Sequence, residues 1–325
     1  MNVLVTGASG FTGSHLVKTL LDRGDRVLAL VRKTSDLSRL ETHHPNLKMV
    51  YGDVTEQDVL TSAMAGLDTV FHLAAYVELG IVDEAKMERV NVEGTRAVLA
   101  AAKATGVSKV LYCSTIGVFG DTQGQLINET FKRTQQGFSS GYDRTKYQAQ
   151  ELVDQYAAEG HFAVSVMPSG IFGSDDPHFG PVIQNFCKGR LKVWAGGDRI
   201  TGIVHVDDLV DGMLLAIENG RSGDHYILST GELTTRDMFA FLSQQTGVSE
   251  PTEIPEPVVR FLGNVLDPIG RTLNWQPPIS RERVHYIYDR CVRVDGSKAK
   301  ETLGWMPRSV EQTLQDCIVN VNRQQ

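Results

Sequence analysis

Apolar residues in the first half of the chain occur in short runs, and these runs alternate with longer stretches of helical spacing. Six of the runs predict buried strands, at residues 3–5, 27–31, 47–51, 69–73, 110–113 and 164–167. Strands that are apolar on both faces and separated by helices are typical of a parallel sheet covered on both sides. The pattern therefore predicts the α/β class, with a doubly wound parallel sheet.

The alternation stops after Pro168, and this change indicates two regions. We predict a first domain at residues 1–169, to which residues 200–224 return, with a helix that the pair Asp207 and Asp208 caps. Residues 170–199 and 225–325 would form a smaller, discontinuous C-terminal region. Within that region the proline-rich stretch 252–278 gives the weakest indication of regular structure.

Composition narrows the class of protein. The 325 residues are 41% hydrophobic and carry a formal net charge of −7, without a long run of Lys and Arg, so we expect no nucleic-acid partner. The first residues lead directly into a glycine-rich loop, and no apolar run is long enough to cross a bilayer, so we expect neither a secretion signal nor a membrane partner. The cysteines lie far apart, which favours a cytoplasmic protein without disulfides or a metal site.

The first predicted strand runs straight into a loop with glycines at positions 7, 10 and 13, and a helical pattern follows at once. Such a loop lets backbone N–H groups and the positive end of the helix dipole approach a negatively charged group. Its place in the first strand–helix–strand unit predicts a site for the pyrophosphate of a dinucleotide, as in a Rossmann domain.

The end of the second strand indicates which dinucleotide is bound. A carboxylate there would hydrogen-bond the 2′-hydroxyl of the adenosine ribose, but the chain reads Arg32-Lys33. Arg32 offers a planar guanidinium suited to a 2′-phosphate. We therefore expect NADP(H) as the cofactor rather than NAD(H), with a solvated Arg32 as the plainer interpretation.

Small and acidic residues follow the third and fourth strands. Asp53 is placed to accept a hydrogen bond from the adenine amino group, and Ala74 and Ala75 would allow close approach to the ribose and phosphate. A turn or packing role is the alternative for each of them.

Tyr142 and Lys146 lie one helical turn apart, in a pattern that continues to Tyr156. A nearby ammonium favours the phenolate, so we expect Lys146 to lower the pKa of Tyr142 from its usual value of about 10 towards neutrality. The two side chains would then form an acid/base pair, although such pairs also arise by chance on solvated helices.

Further motifs accompany this pair. Residues 113–120 read CSTIGVFG at the end of the fifth strand, and residues 91–95 read NVEGT in the preceding helix. With the glycine loop and the Tyr-Lys pair, they make the chain resemble the extended short-chain dehydrogenase/reductase family, in the NAD-dependent epimerase/dehydratase superfamily. The segments LVR at 30–32, VHVDD at 204–208 and SKAKETLGWMP at 297–307 resemble its dihydroflavonol-reductase-like branch and hopanoid-associated reductase-like proteins.

The resemblance implies a role for each matching residue. Tyr142 would be the catalytic acid/base, Lys146 would bind the nicotinamide ribose, Thr115 would hydrogen-bond the substrate oxygen, and Asn91 would hold a water beside the lysine. The segment 168–173 would lie along the nicotinamide. The predicted cofactor-binding residues are Gly7, Ser9, Gly10, Phe11, Thr12, Gly13, Arg32, Lys33, Asp53, Val54, Leu73, Ala74, Ala75, Tyr142, Lys146, Pro168, Gly170 and Ile171.

Several reactions fit the resemblance. Family dehydratases carry an Asp-Glu pair after the threonine, where this chain has Ile116-Gly117, so dehydration is disfavoured. We expect an NADP(H)-dependent reductase that converts a small-molecule ketone or aldehyde to an alcohol. The alternatives are a nucleotide-sugar epimerase with a retained NAD and a non-catalytic dinucleotide sensor. The family also implies a homodimer packed through the helices that hold Asn91 and Tyr142.

The substrate would be bound by the smaller region. Residues 76–80, 117–119, 172–186 and Trp194 are candidate walls of its site, and their apolar bias favours a hydrophobic substrate. Aromatic residues in a small second region are also typical of its core, so the two interpretations stay open.

Overall fold

A computed structural model describes residues 1–323 of the chain. The strands are β1 (Asn2–Thr6), β2 (Arg26–Val31), β3 (Leu47–Tyr51), β4 (Thr69–His72), β5 (Lys109–Cys113), β6 (Leu126–Ile127), β7 (Ala163–Pro168), β8 (Gly170–Phe172), β9 (Val193–Trp194), β10 (Ile200–His205), β11 (His225–Leu228), β12 (Gly231–Thr234), β13 (Thr252–Glu253) and β14 (Arg293–Val294). The α-helices are α1 (Phe11–Asp22), α2 (Gln57–Met64), α3 (Glu84–Glu88), α4 (Gly94–Thr105), α5 (Gly141–Ala158), α6 (Gly180–Cys187), α7 (Val206–Asn219), α8 (Thr235–Thr246), α9 (Glu256–Leu273), α10 (Arg281–Tyr288), α11 (Ser297–Leu303) and α12 (Val310–Arg323). A π-helical turn at Arg89–Glu93 joins α3 to α4, and a 3-10 turn at Ile116–Phe119 follows β5.

Seven strands form one parallel sheet in the order β11-β7-β5-β4-β1-β2-β3. β1 pairs with both β2 and β4, so the direction in which the chain winds reverses between β1 and β4. The connections at the carboxyl ends of these two strands diverge and leave a crevice, which is the usual ligand site of such sheets. The predicted α/β class and doubly wound sheet are confirmed, and each of the six predicted strands is present within one residue at either end.

Helices bury both faces of this sheet. On one face α1, α7 and α11 form a core that includes Leu16, Leu209 and Leu303. On the other face α2, α4 and α5 form a core that includes Leu60 and Val98. Because helices cover both faces, the strands are mainly apolar rather than alternating, and this explains why their sequence runs were easy to recognise.

The smaller region has its own sheet and core. β8, β10 and β12 form a three-stranded sheet. Helices α6, α8 and α12 contribute to a third core, in which Phe186 and Phe239 stack. The elements of this region come from separated parts of the chain.

Sheet membership differs from the predicted domain boundaries at two strands. His225–Leu228, assigned to the smaller region, pairs with β7 and forms the edge of the large sheet. Ile200–His205, assigned to the first domain, pairs instead with β8 and β12. Both strands are short and buried, and an apolar run of this length carries no information about the sheet to which it belongs.

The stretch with the weakest indication of structure contains the helix α9. Pro257 lies in its first turn, where the missing N–H has no partner to lose. Pro268 is accommodated inside the helix, and Asn274 ends it in a left-handed conformation. The prolines therefore made this helix difficult to predict from the sequence, although Pro257 lies in the first turn, where a helix tolerates proline.

The predicted cap of α7 is wrong. The helix begins at Val206, and His205 caps it by accepting a hydrogen bond at Nδ1 from the backbone N–H of Asp207, 3.1 Å away. Asp207 and Asp208 lie within the first turn, where Asp208 pairs with the Arg308 guanidinium at 3.1 Å. Acidic residues are favourable near the N-terminus of a helix both at the cap and within the first turn. The sequence alone therefore did not show which of these two positions Asp207 and Asp208 occupy.

Trp305 anchors the C-terminal part of the chain to the large sheet. Its side chain is 2% exposed, and its indole N–H donates to the carbonyl of Asp208 at 2.7 Å. We expect Trp305→Ala to lower the free energy of unfolding by about 3–5 kcal/mol, because it leaves a cavity and removes the hydrogen bond to the Asp208 carbonyl. Urea denaturation measures this change.

The next residue supplies the control. Met306 is 92% exposed, so Met306→Ala should change the free energy of unfolding by less than about 0.5 kcal/mol. Equal effects of the two substitutions would contradict the anchoring role of Trp305.

Candidate active site

The glycine loop makes a sharp turn from β1 into α1. Gly7 has a φ of +70°, and a Cβ there would lie 2.8 Å from the backbone nitrogen of Ala74. A Cβ on Gly13 would lie 2.1 Å from the carbonyl oxygen of Gly7. Glycine is therefore required at both positions by the close approach of the loop to β4 and to α1.

The first turn of α1 is free to bind an anion. Gly10 is the N-cap residue, none of the described side chains caps the helix, and its first turn, which holds Phe11 and Thr12, has no acidic residue. Unsatisfied N–H groups and an uncompensated helix dipole favour phosphate oxygens, so the loop fits the pyrophosphate of a dinucleotide. Ser9 lies half-buried in the same turn.

The chain leaves β2 at Arg32, whose side chain is exposed. A turn holds this position, since the Arg32 N–H donates to Ser35 Oγ at 3.0 Å. Among the described residues no carboxylate forms an ion pair with Arg32 or Lys33, so both cations are available to a ligand beside the loop.

The ends of β3 and β4 complete the crevice. Asp53 Oδ1 accepts hydrogen bonds from both the backbone N–H and the hydroxyl of Thr55, so this oxygen stabilises a turn, and Val54 beside it is buried. Ala74 N–H donates to Thr6 Oγ1 at 3.1 Å, with Leu73 before it and Ala75 after it. This bond holds the end of β4 against β1.

The helix α5 carries Tyr142 and Lys146. Ser140 caps it by accepting from the Asp143 N–H at 3.0 Å, which places the tyrosine in the first turn. The Lys146 ammonium is 2% exposed, donates to the carbonyl of Cys113 at 2.7 Å, and lies 4.2 Å from the ring centre of Tyr112. α5 is thereby held against β5 at the level of the catalytic candidates.

Burial sets the protonation of this pair. It lowers the pKa of Lys146 to about 8. It raises the pKa of Tyr142 far above the usual value of 10.0, and Tyr286 adds to the rise, while a hydrogen bond with the Thr115 side chain opposes it. The expected lowering by Lys146 is therefore wrong: desolvation dominates, and the phenol keeps its proton at neutral pH.

Thr115 stands at the N-cap of the 3-10 turn that follows β5. Its Oγ1 accepts from the Gly117 N–H at 3.1 Å, and the same side chain reaches Tyr142. Ser114 makes no hydrogen bond to Tyr142: its hydroxyl is buried without a partner among the described residues. The structure thus brings together Thr115, and not Ser114, with Tyr142.

Asn91 lies in the π-helical turn between α3 and α4. Its Oδ1 accepts from the Tyr76 N–H at 2.7 Å, and its Nδ2 donates to the Tyr76 carbonyl at 3.1 Å and to Thr145 Oγ1 at 3.0 Å. The side chain therefore joins the loop after β4 to α5. Turns of this kind are frequent at functional sites, and the extra residue in the turn rotates Asn91 inward.

Pro168, Gly170 and Ile171 lie where the chain passes from β7 in the large sheet to β8 in the smaller one. Gly170 pairs with Ile203, and a Cβ on it would lie 2.9 Å from the Gly202 carbonyl. This segment adjoins the carboxyl edge of β7, on the same side of the sheet as the glycine loop.

Two groups of buried polar residues were missed by sequence reasoning. His72 links the motifs through its ring nitrogens, 2.8 Å from Thr6 Oγ1 and 2.9 Å from Thr95 Oγ1. Burial, with the Lys146 charge as a smaller cause, lowers the pKa of His72 to about 3, so the ring is neutral. A single histidine in an apolar strand gives no sequence signal for such a role.

The second group connects α5 to α10. The buried carboxylate of Asp143 lies 3.3 Å from Arg290 Nε and accepts from the Tyr286 hydroxyl at 3.3 Å. Burial raises the pKa of Asp143, while the Arg290 charge opposes the rise. The partners lie about 145 positions away in the chain, and only the three-dimensional fold brings them beside Tyr142.

A cavity of about 260 Å³ lies in the smaller region. Its walls are mainly apolar and include Phe172, Phe179 and Trp194, which are among the predicted substrate walls. Tyr142 does not line the cavity. The guanidinium of Arg199 connects the two places, because it lines the cavity and lies 5.8 Å from the ring centre of Tyr286.

Comparison with known proteins agrees with this arrangement. The chain is 32% identical over 324 residues to a 4-hydroxy-2-methyl-3-oxo-4-farnesyl-3,4-dihydroquinoline-1-oxide ketoreductase from Stigmatella aurantiaca, covering 98% of this chain and 96% of that protein. It is 31% identical to a putative dihydroflavonol 4-reductase from Synechocystis, covering 97% and 92%. The solved structure of gox2253 is 31% identical and superposes with a TM-score of 0.83 over 99% of this chain and 98% of that one.

The model of the family described as "NAD dependent epimerase/dehydratase family" matches residues 3–229. This span includes the glycine loop, the π-helical turn, Thr115 and the Tyr142–Lys146 pair. The resemblance read from the sequence motifs is thereby confirmed: the chain belongs to the NAD-dependent epimerase/dehydratase family, that is, to the extended short-chain dehydrogenases/reductases.

Proposed function

We propose that the chain is an NADP(H)-dependent reductase that converts a ketone or aldehyde of a small apolar molecule to the alcohol. The observation that carries the proposal is the position of the half-buried Tyr142 phenol beside the Thr115 side chain and one turn from the buried Lys146. A group that must give a proton to a carbonyl oxygen needs to hold that proton at neutral pH, and the raised pKa of Tyr142 meets this need. Membership of the family supports an oxidoreductase.

When bound in the crevice, a reduced nicotinamide supplies the hydride that forms the new C–H bond at the carbonyl carbon. Tyr142 and Thr115 would donate hydrogen bonds to the carbonyl oxygen and so polarise it. As negative charge develops on that oxygen, the Tyr142 O–H bond breaks and the proton completes the alcohol. The Lys146 ammonium would stabilise the phenolate that remains until solvent returns a proton.

The glycine loop and the end of β2 would hold the dinucleotide. The uncapped first turn of α1 favours its pyrophosphate, and Arg32 with Lys33 would pair with a 2′-phosphate. Asp53, whose Oδ1 is engaged by Thr55, would contribute to adenine binding only through its other oxygen.

The apolar cavity supports a hydrophobic substrate. Its phenylalanine and tryptophan side chains would bind a ring system or an isoprenoid chain, and the farnesyl group in the name of the Stigmatella ketoreductase is of this kind. We propose that substrate spans from this cavity, past Tyr286, to Tyr142.

A nucleotide-sugar epimerase is the second candidate, and the half-buried guanidinium of Arg199 favours it. A cation at the edge of an apolar cavity would suit an anionic substrate better than a neutral one. Tightly held NAD in the purified protein, seen in its absorbance spectrum, would support the epimerase over the reductase.

We expect Tyr142→Phe to lower kcat by at least about 100-fold, because it removes the transferable proton while preserving the ring. The measurement is NADPH oxidation with a panel of ketones and aldehydes. Binding of NADPH, followed by its fluorescence, should stay near that of the unchanged protein.

Tyr147→Phe is the matched control, since Tyr147 lies in the same helix and packs against Phe138. It should leave kcat within about twofold. Full activity of Tyr142→Phe would refute the proposed acid, and a chain that oxidises NADPH with no member of the panel would favour the dinucleotide sensor.

We expect Arg32→Asp to lower kcat/KM for NADPH by about 10- to 100-fold, which corresponds to the loss of one charge-assisted hydrogen bond. With NADH, kcat/KM should hold or rise, because the new carboxylate suits a free 2′-hydroxyl.

The control is Arg26→Asp. Arg26 is exposed at the opposite end of the same strand, and its replacement makes the same change of charge. If Arg26→Asp and Arg32→Asp affect the two cofactors equally, the preference for NADP(H) does not arise at the end of β2.

A further inference from the structure

The helix α9 presents its apolar residues to solvent instead of to the core. Its buried positions are Val259, Gly263, Asp267 and Gly270. A Cβ on Gly263 would lie 2.6 Å from Val284 Cγ2, so the narrow buried stripe lies very close to α10. This is the reverse of an ordinary surface helix, in which the larger apolar residues face inward.

Six of the fourteen exposed large hydrophobic residues in the described part of the chain lie on α9 or just after it. They form one face, which we call the α9 face: Val258, Phe261, Val265, Ile269, Leu273 and Trp275. Their spacing of three or four residues places the helical ones in a single stripe. Phe261 is 66% and Leu273 is 68% exposed, so the stripe is open along its length.

Positive charge borders the α9 face. Arg281 donates to the Asn264 side chain at 3.2 Å, which places its guanidinium beside the helix, and Arg283 follows it. Neither arginine forms an ion pair with any carboxylate in residues 1–323. The segment 256–290 contains five arginines and four carboxylates, a net charge of +1 with His neutral, whereas the whole chain carries −7.

We propose that the α9 face docks on the surface of a membrane that contains anionic phospholipid. An amphipathic helix with Phe, Leu and Trp on one side and arginines beside it lies in the interfacial layer, where the apolar face enters the acyl boundary and the cations meet headgroups. No helix in residues 1–323 is long and apolar enough to span a bilayer. The expectation of no membrane partner rested on the absence of a bilayer-crossing run, whereas the proposed contact is with the membrane surface and needs no such run.

A second copy of the chain is a poorer occupant of this face. A stripe of about 15 residues is about 22 Å long and about 10 Å wide, a footprint of about 220 Å². A stable interface buries about 800 Å² of accessible surface on each partner, from about 20–30 residues, so a dimer would have to draw most of its contacts from outside the six residues of the α9 face. A lipid surface has no such minimum, because it surrounds each side chain that enters it.

The test is sedimentation with vesicles of two compositions, phosphatidylcholine alone and phosphatidylcholine with phosphatidylglycerol in about a 2:1 ratio. The full chain should sediment with the anionic vesicles, less with the neutral ones, and less again as salt screens the arginines. Phe261→Glu combined with Leu273→Glu should lower the bound fraction by about tenfold or more. Phe261→Ser alone, a milder change, should lower it several-fold.

Matched controls separate the α9 face from general stickiness and charge. Met306→Glu combined with Leu126→Glu places the same two charges at exposed apolar residues elsewhere and should leave binding unchanged. Arg281→Glu with Arg283→Glu should abolish the preference for anionic vesicles, whereas Lys132→Glu with Lys300→Glu, at exposed positions elsewhere, should preserve it.

Three results would overturn the proposal. The first is that the chain sediments with neither kind of vesicle. The second is that binding survives the combined Phe261→Glu and Leu273→Glu substitutions. The third is that light scattering shows these substitutions converting a dimer to a monomer. The last result would assign the face to a second copy. None of these readouts uses enzymatic activity, so they are independent of the proposed reductase.

Discussion

The candidate site depends on one interaction, the hydrogen bond from the buried Lys146 ammonium to the carbonyl of Cys113. Lys146 has almost no access to water, and its bond to the Cys113 carbonyl compensates part of the lost hydration. Because that carbonyl ends β5 and the lysine belongs to α5, the bond fixes the helix on the sheet. This junction between α5 and β5 positions three neighbouring residues. They are Tyr142, one turn before the lysine, Thr145 beside it, and Thr115, two residues after Cys113.

The hydrogen bonds of two further buried side chains, His72 and Asn91, link the elements on the two sides of the crevice. His72, neutral in its buried position, joins Thr6 before the glycine loop to Thr95 in α4. Asn91 joins the loop after β4 to α5 through Tyr76 and Thr145. The glycine loop and the helix α5 are thus parts of one hydrogen-bonded frame, and a shift in either would be transmitted to the other.

The sequence predicted the parts of this frame that depend on local chemistry. Strand runs, the glycine turn and the Tyr142–Lys146 spacing follow from backbone geometry and helix periodicity. It did not predict what depends on distant partners. The pKa of Tyr142 rises because of the burial that folding produces. Asp143 meets Arg290 across almost half the chain. β11 joins the large sheet although nothing in its four residues, His225–Leu228, identifies that sheet. The helix α9 was obscured by prolines that its geometry accommodates. The roles of the site residues themselves stay predictions.

The order in which the large sheet is completed bears on how the protein emerges from the ribosome. Its last strand is β11, and Trp305 fills the core only after some three hundred residues have been made. A nascent chain that already contains the glycine loop, Thr115 and Tyr142 still exposes the edge of β7, where another chain could pair. Completion of the large sheet therefore waits for residues 225–228, and completion of its core waits for Trp305; until then the open edge of β7 would favour misassembly of the incomplete chain.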